Sequence, residues 1–279
     1  MAADWRIARA PAKVNLGLRV LGRRDDGYHL LDSLVVFADY ADHIAIRPGT
    51  PGSEILGPFS SALAGADPAQ NLARRAIELH RRRFGGPEQA LKLWKRLPVA
   101  AGIGGGSADG AAVLRLLGGP SEALAEIALE LGADGPMCLA GLPARVGGVG
   151  EVLTPAPAMP EFPAVLVNPG VPLSTPAVFK ARTRPFSEPM QLPDRLDNVA
   201  EAVSAFGNDL TEAAIRLAPA VGDVLNALDG ALVAGMSGSG ATCFGLYPDK
   251  PSARAAARAL ERSGWWVKAV TLNAPPFSA

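Results

Sequence analysis

Four glycines within five residues, followed directly by a helical pattern, restrict the fold of this chain more than any other feature. Residues 97–117 read LPVAAGIGGGSADGAAVLRLL. The glycines are Gly102, Gly104, Gly105 and Gly106. Glycine reaches backbone angles closed to other residues and has no Cβ, so main-chain N–H groups can wrap around an oxyanion. We predict that Ser107 is the N-cap of a helix whose N-terminus favours negative charge. The stretch predicts a phosphate site; the alternative is a glycine turn before a core helix.

The loop does not match the phosphate loops of several large enzyme classes. A Walker A loop requires G-x-x-x-x-G-K-[ST], but Ser107 and Ala108 follow Gly106, and the chain contains no Gly-Lys pair. A dinucleotide fingerprint that starts at Gly102 would need glycine at position 107. The protein-kinase signatures H-R-D and D-F-G are also missing. The loop therefore belongs to another class.

Composition and charge describe an ordinary globular chain of 279 residues, enough for one large domain or two modest ones. Lys+Arg and Asp+Glu both number 27, so we expect neither nucleic acid nor a membrane as partner, and residues 81–83 (RRR) are predicted to be a solvated helix face. Cys138 and Cys243 have apolar neighbours, which is typical of buried thiols rather than a disulfide or zinc site. No apolar run approaches the ~20 residues of a membrane span, and residues 1–11 lack a hydrophobic signal core, so we expect a cytoplasmic protein.

Strand and helix patterns alternate along the chain and predict a mixed α and β fold. Predicted strands cover residues 12–20, 34–38, 43–47, 91–97, 164–168, 231–236, 243–247 and 266–272. Predicted helices cover residues 70–84, 121–131, 199–205, 210–216, 220–228 and 252–262, besides the helix after the glycine loop. Residues 169–176 contain three prolines and are predicted to be a loop. The proline-dense segment 154–163 predicts a junction near residue 158 between domains 1–158 and 159–279, the second an α+β sandwich.

Three further groups of residues can carry chemistry, and each has a simpler structural explanation. Lys13 and Asn15 share one face of a predicted strand, either in a site or on the solvated face of an edge strand. Asp134 follows a glycine helix stop and precedes Gly135-Pro136, where its simpler role is N-cap. A second glycine-rich loop at 235–242 is either a flexible hairpin or part of a shared ligand site.

Together these segments resemble the three motifs of the GHMP kinases, which phosphorylate small molecules and use P-x-x-x-G-[LI]-G-[GS]-[GS]-[SA] in place of Walker A. The matching segments are, in order, 11–16, 98–108 and 235–241. Within this superfamily, residues 26–30 (DGYHL), 132–134 and 148–155 resemble the 4-diphosphocytidyl-2-C-methyl-D-erythritol kinase family of the non-mevalonate isoprenoid pathway. The resemblance extends from Pro11 to about Asn273, and D-G-Y-H is its specific part.

The resemblance implies transfer of the ATP γ-phosphoryl group to the 2-hydroxyl of 4-diphosphocytidyl-2-C-methyl-D-erythritol, with Mg²⁺. The implied fold is α+β, with a ribosomal S5 domain 2-like N-terminal domain and a ferredoxin-like C-terminal domain. By position, Asp134 is the general base, Lys13 is its electrostatic partner and Asn15 orients the hydroxyl.

The resemblance also assigns the binding residues. The ATP side would be formed by Pro98, Gly102, Gly104, Gly105, Gly106 and Ser107, with Asn71 and Leu72 near the adenine. Gly238, Ser239 and Gly240 would support the phosphate loop. Tyr28 and Phe179 would sandwich the cytosine while His29 reads its edge.

Two positions depart from the family pattern. Ala108 stands where a second serine commonly occurs, and Gly135 where a larger apolar residue usually follows the aspartate. The metal ligands are therefore not assigned. The alternatives are another GHMP kinase of the homoserine or mevalonate type and a non-catalytic ligand-binding module. The joint presence of Lys13, Asp134 and the glycine loop argues against the module.

Overall fold

The computed structural model describes residues 4–64, 67, 70–261 and 264–274, which form two sheets that are joined at one residue pair and covered by helices. The strands are β1 (Arg6–Arg23), β2 (His29–Pro48), β3 (Gly52–Leu56), β4 (Gln89–Trp94), β5 (Ala144–Gly148), β6 (Val152–Pro155), β7 (Phe162–Asn168), β8 (Val233–Met236), β9 (Cys243–Leu246) and β10 (Trp266–Leu272). The helices are α1 (Leu72–Phe84), α2 (Gly105–Leu117), α3 (Ser121–Leu131), α4 (Gly135–Ala140), α5 (Thr175–Ala181), α6 (Val199–Phe206), α7 (Thr211–Leu217), α8 (Ala220–Ala227) and α9 (Lys250–Leu260), and a 3₁₀ turn spans Ser60–Leu63.

The first sheet is built around the long antiparallel pair of β1 and β2. On the other side of β2, β4 pairs with its second half and β5 with its first half, while β3 joins β4 and β6 joins β5. The sequence predicted two strands at 34–38 and 43–47, but β2 runs through both. The interruption of the pattern is a register shift opposite Pro11 and Lys13, which is a bulge rather than a turn.

Helices α1–α4 cover one face of this sheet, with α2 at the centre. The buried side of α2 is rich in alanine, which lets it lie close to the sheet and its neighbours. Helix α1 begins at Leu72 rather than at 70, because the Asn71 Oδ1 caps it and accepts from the N–H groups of Ala73 (3.0 Å) and Arg74 (3.2 Å). Helix α3 has the predicted bounds, 121–131.

The second sheet has the strand order β10–β7–β9–β8, with antiparallel neighbours. Helices α5–α8 connect β7 to β8, and α9 connects β9 to β10. This is the ferredoxin-like arrangement, so the predicted α+β class is confirmed. The pair Leu272 and Ala38 joins this sheet to β2. The predicted domain boundary near 158 falls between β6 and β7 and stays a prediction.

Two elements in the second half of the chain differ in their bounds from the prediction. Residues 169–176 were predicted as a loop, but α5 begins at Thr175 with Pro176 in its first turn, where the missing N–H of proline costs nothing. The predicted helix 252–262 corresponds to α9, and residue 262 lies outside the described residues.

Both cysteines are free and buried, as predicted. Burial raises the pKa of each thiol, that of Cys243 to about 12. Among the helices in the described ranges, none combines the length and apolar character needed to cross a membrane.

Candidate active site

A cleft of about 1090 Å³ brings together residues from all three predicted motifs. The predicted site residues that line it are Lys13, Asn15, Tyr28, His29, Gly102, Ser107, Asp134, Phe179, Gly238 and Ser239. The other predicted residues, Asn71, Leu72, Pro98, Gly104, Gly105, Gly106 and Gly240, are not part of its lining. The cleft is therefore the site to which the separate sequence signals converge.

Lys13 and Asp134 form an ion pair in this cleft. The Lys13 Nζ lies 3.3 Å from the Asp134 Oδ2 and donates to the Asn15 Oδ1 at 2.7 Å. The lysine side chain is 6% exposed, whereas that of Asp134 is 40% exposed and open to the cleft. Asp134 occupies the N-cap position of α4, but its side chain makes no capping hydrogen bond. The alternative interpretation, in which Asp134 is only a helix cap, was therefore right about its position before α4. It was wrong about the side chain, because the carboxylate caps no backbone N–H group.

Asn15 is buried in a network that crosses the motifs, rather than on a solvated edge strand. Its Nδ2 donates to the Ser33 Oγ at 2.7 Å, and its backbone N–H donates to the Ser237 Oγ at 3.0 Å. The Ser237 hydroxyl in turn donates to the Gly102 carbonyl at 3.0 Å. Ser237 thus joins the first, second and third motifs, although sequence reasoning did not select it. The available signal was a serine at the start of the S-G-S-G segment between two strands.

At two positions of the glycine loop, the chain lies so close to the first or third motif that only glycine fits. A Cβ on Gly102 would lie 2.5 Å from the carbonyl oxygen of Ser237, and a Cβ on Gly104 would lie 2.7 Å from the Lys13 Cγ. Gly104 also has φ of 64°, a region that favours glycine. The third motif is not a flexible hairpin, because Ser237 and Thr242 are fully buried and the Thr242 N–H donates to the Ala101 carbonyl at 3.2 Å.

Helix α2 begins two residues before the predicted N-cap. The left-handed conformation of Gly104 turns the chain directly into the helix, and the Ala108 N–H donates to the Gly104 carbonyl at 2.9 Å. The N-cap prediction for Ser107 is therefore wrong: Ser107 lies in the first turn and lines the cleft. The amides of residues 105–107 have no acceptor within the helix.

The residues predicted for the adenine side lie next to the glycine loop. Asn71 uses its side chain to cap α1, as described above. The Leu72 Cδ1 lies 3.4 Å from where a Cβ on Gly106 would be, so the start of α1 packs against the start of α2. A Cβ on Gly105 would lie 3.1 Å from the Nζ of the buried Lys95.

The base-binding prediction is changed in one respect. His29 stacks on Phe179 with ring centroids 4.8 Å apart and an angle of 22° between the planes, while Tyr28 is 63% exposed. One face of Phe179 is thus already covered by the imidazole, and the predicted sandwich of Tyr28 and Phe179 is not preformed. Burial, Arg23 and Arg182 lower the pKa of His29, which favours the neutral imidazole.

Cationic side chains outnumber carboxylates in the cleft lining. The cations besides Lys13 are Arg23, Lys180, Arg182 and Arg184, and the carboxylates are Asp26 and Asp134. Helix α5, which carries Phe179 and Lys180, is linked to the third motif by a 2.7 Å hydrogen bond between the hydroxyls of Thr175 and Ser239. The cleft is suited to a ligand with an aromatic end and a negatively charged chain.

Comparison with known proteins finds two protein families that match parts of this chain and a relative of similar length. The family described as GHMP kinases N terminal domain matches residues 71–141, and the family described as GHMP kinases C terminal matches residues 192–265. A Paramagnetospirillum magneticum protein named 4-diphosphocytidyl-2-C-methyl-D-erythritol kinase is 52% identical, over 92% of this chain and 95% of its own length.

Two solved structures extend the comparison. A crystal structure of 4-(cytidine 5'-diphospho)-2C-methyl-D-erythritol kinase has a TM-score of 0.79 at 37% identity and covers 96% of this chain and 99% of its own. A homoserine kinase from Cytophaga hutchinsonii has a TM-score of 0.69 at 20% identity, over 96% of this chain and 94% of its own. The second likeness concerns the fold alone.

Proposed function

The chain belongs to the 4-diphosphocytidyl-2-C-methyl-D-erythritol kinase family of the GHMP kinases, and we propose that it transfers the γ-phosphoryl group of ATP to the 2-hydroxyl of 4-diphosphocytidyl-2-C-methyl-D-erythritol. The product serves the non-mevalonate route to isoprenoid precursors. The expected partners are therefore two small molecules, and the expected location is the cytoplasm.

Asp134 is the general base in this proposal. Its partly exposed carboxylate can accept the hydroxyl proton while the Lys13 ammonium, 3.3 Å away, stabilises charge at the reacting oxygens. The hydroxyl oxygen forms a bond to the γ-phosphorus, the bond from that phosphorus to the bridging oxygen breaks, and ADP leaves. The Asn15 Oδ1 accepts from the Lys13 Nζ, and we propose that Asn15 orients the substrate hydroxyl by fixing this ammonium beside it.

We place the triphosphate of ATP at the first turn of α2. The free amides of residues 105–107 and the helix dipole both favour an anion there. The loop residues before the helix, Pro98, Gly102 and Gly104, shape this end, and residues 238–240 of the third motif support it. Asn71 and Leu72 are proposed for the adenine side, because α1 begins beside the same loop.

Magnesium would accompany the ATP and neutralise charge on its phosphates. Proteins commonly bind Mg²⁺ through one or two carboxylates together with substrate phosphates and water. Ser107 lines the cleft in the first turn of α2 and is the oxygen donor that we propose for it, while the carboxylate of Asp134 is kept for the proton. Across the described part of the chain, no cluster of three or more His, Cys, Asp or Glu side chains could hold a metal ion on its own.

The cytidine diphosphate end of the substrate is assigned to the part of the cleft around His29. The stacked pair of His29 and Phe179 offers an aromatic surface and ring nitrogens for the base, with Tyr28 free to close over it. Arg23 and Arg182 line the same cleft as His29, and we propose that their positive charge attracts the diphosphate.

The observation that carries the proposal is the Lys13–Asp134 pair in the same cleft as the glycine loop and the His29–Phe179 stack. The experiment is a coupled ADP-release assay with 4-diphosphocytidyl-2-C-methyl-D-erythritol, mevalonate and homoserine offered separately. We expect turnover with the first alcohol and little with the others. Turnover with mevalonate or homoserine instead would overturn the substrate, and turnover with none of the three would favour a ligand-binding module.

A further inference from the structure

Three ionisable side chains meet in the interior below the glycine loop, away from the cleft lining. The Lys95 Nζ donates to the Asp42 Oδ2 at 2.5 Å and to the Asp109 Oδ2 at 2.8 Å. None of the three side chains is more than 4% exposed. Taking such charges out of water costs several kcal/mol for each ion, so a buried cluster is weak evidence for stability alone. Its position in the fold indicates what else it does.

The cluster joins the two ends of the loop formed by residues 98–104. At the entrance, the Asp42 Oδ1 accepts from the backbone N–H groups of Arg96 (2.5 Å) and Leu97 (2.8 Å). These bonds also explain why β4 ends at Trp94 and not at the predicted Leu97, since both amides turn away from the sheet. At the exit, Asp109 lies on α2 one turn after Gly105. Lys95 links the two carboxylates.

The ammonium also lies directly against the start of α2. A Cβ on Gly105 would come within 3.1 Å of the Lys95 Nζ, so glycine lets the first turn of the helix rest on the lysine. The free amides of this turn are the ones to which we have assigned the ATP phosphates. A displacement of Lys95 would therefore be transmitted to the phosphate site through Gly105 alone.

We propose that Lys95, Asp42 and Asp109 are positioning residues that hold the two ends of the glycine loop together, so that the amides of residues 105–107 converge on the ATP phosphates. This role rests on the proposed kinase function. The cluster would affect nucleotide affinity only through the loop, because none of its three side chains contacts the nucleotide in this proposal.

The hydrogen bonding and the pKa of Asp109 indicate what Lys95 requires at this position. Its Oδ1 is buried and makes no hydrogen bond to the described residues, and burial raises the pKa of Asp109 to about 8. Asp42 is the other carboxyl group bonded to Lys95. Lys95 therefore needs an oxygen acceptor at position 109 rather than a second charge. An asparagine can supply that acceptor, whereas a leucine of similar size cannot.

The test compares Asp109→Leu and Lys95→Met with the conservative variant Asp109→Asn. Binding of a non-hydrolysable ATP analogue and of cytidine 5'-diphosphate is measured by calorimetry, with KM and kcat for the full reaction and the melting temperature of each variant. We expect the first two variants to weaken binding of the ATP analogue by about tenfold or more, the effect of losing a charge-assisted hydrogen bond. Binding of cytidine 5'-diphosphate should stay near that of the wild type, and Asp109→Asn should keep the affinity for both ligands.

Unchanged affinity for the ATP analogue in a folded Asp109→Leu protein would overturn the positioning role, as would equal losses for both ligands. If Asp109→Leu and Lys95→Met do not fold, hydrogen exchange on the wild type decides. We expect the amides of Arg96 and Leu97 to be strongly protected without nucleotide; protection gained only on adding the ATP analogue would contradict a preformed loop. A wild type that binds neither ligand would overturn the proposed function together with this role.

Discussion

The Nζ of Lys13 lies 3.3 Å from the Oδ2 of Asp134, although the two residues are far apart in sequence, one on β1 and the other at the start of α4. The lysine cannot move freely, because its Nζ is also bonded to Asn15 and its stem lies against Gly104. The aspartate remains partly open to the cleft. The pair thus combines a fixed cation with an accessible carboxylate, which is the combination that the proposed phosphoryl transfer to an alcohol requires.

Gly104→Ala should lower turnover by displacing Lys13. The new Cβ would lie 2.7 Å from the Lys13 Cγ, and the lysine stem must shift. Because displacement of about 1 Å at a reacting group can cost on the order of 10²-fold, we expect a loss of kcat of roughly 10- to 100-fold. The control is Gly170→Ala, which shares the positive φ but has open space around the Cβ. Equal kcat in the two variants would show that only backbone strain is involved.

Ser237→Ala should destabilise the protein and reduce activity together. The Ser237 hydroxyl accepts from the Asn15 N–H and donates to the Gly102 carbonyl, and all of these groups are buried from water or nearly so. Its loss leaves a buried donor and acceptor unsatisfied, at a cost of about 1–3 kcal/mol of unfolding free energy. Denaturant unfolding and kcat measure the two effects. Ser204→Ala, on the exposed side of α6, should change neither; a neutral Ser237→Ala would refute the role of this hydroxyl in joining the motifs.

Phe179→Ala and His29→Ala should weaken cytidine 5'-diphosphate and leave ATP binding nearly unchanged. Removal of a ring that stacks on a base costs about 1–3 kcal/mol in nucleic-acid complexes, and we expect a similar loss for Phe179. His29→Ala should in addition reduce the preference for cytidine over uridine diphosphate, since a hydrogen-bonding edge is lost. Calorimetry with each ligand alone separates these effects.

Phe84→Ala, at the end of α1 and outside the cleft lining, is the control for loss of an aromatic side chain. Its affinity for cytidine 5'-diphosphate should match that of the wild type. If Phe179→Ala and His29→Ala instead weaken both ligands in proportion to a fall in melting temperature, the two rings only pack the turn, and the base site lies elsewhere.

The stability of the protein relative to its Asp109→Asn variant should depend on pH. Burial raises the pKa of Asp109 from an ordinary value of 3.8 to about 8, so that the folded state holds a proton that the unfolded chain has lost. The stabilising effect of this proton is complete below the unfolded pKa and is lost as pH rises through the folded pKa. The unfolding free energy of the wild type minus that of Asp109→Asn should therefore fall between about pH 4 and about pH 8 and become flat above this range. A difference that stays constant across the range would mean that Asp109 is already ionised.

Much of the fold could be predicted because its signals are local. Helix α3 and the strand β10 have the predicted bounds, since apolar periodicity and a glycine stop depend only on neighbouring residues. The two strands predicted at 34–38 and 43–47 were one, because the continuity of β2 depends on its pairing with β1, a contact distant in sequence. Strands β5 and β6 were missed altogether, being short and glycine-rich or proline-ended.

The candidate site was predictable where a residue type carries the chemistry, as for Lys13 and Asp134, whose proximity the structure adds. The sequence contained no sign of the Asp42–Lys95–Asp109 cluster, because charged residues on strands and helices are usually solvated and their burial depends on tertiary packing. The start of α2 was misplaced for a similar reason. A left-handed glycine can begin a helix without a side-chain cap, and Ser107 was the more familiar signal.

The most direct test of the account is the rate of a single turnover with ATP and 4-diphosphocytidyl-2-C-methyl-D-erythritol, both saturating, in wild type and Asp134→Asn. Asp223→Asn, an exposed aspartate in the first turn of α8, is the matched control and should react as the wild type does. We expect Asp134→Asn to lower the rate by on the order of 10²- to 10⁴-fold, the usual contribution of a positioned acid–base group, with unchanged melting temperature and ligand affinities. A rate close to that of the wild type would contradict the account and leave Asp134 as no more than the first residue before α4.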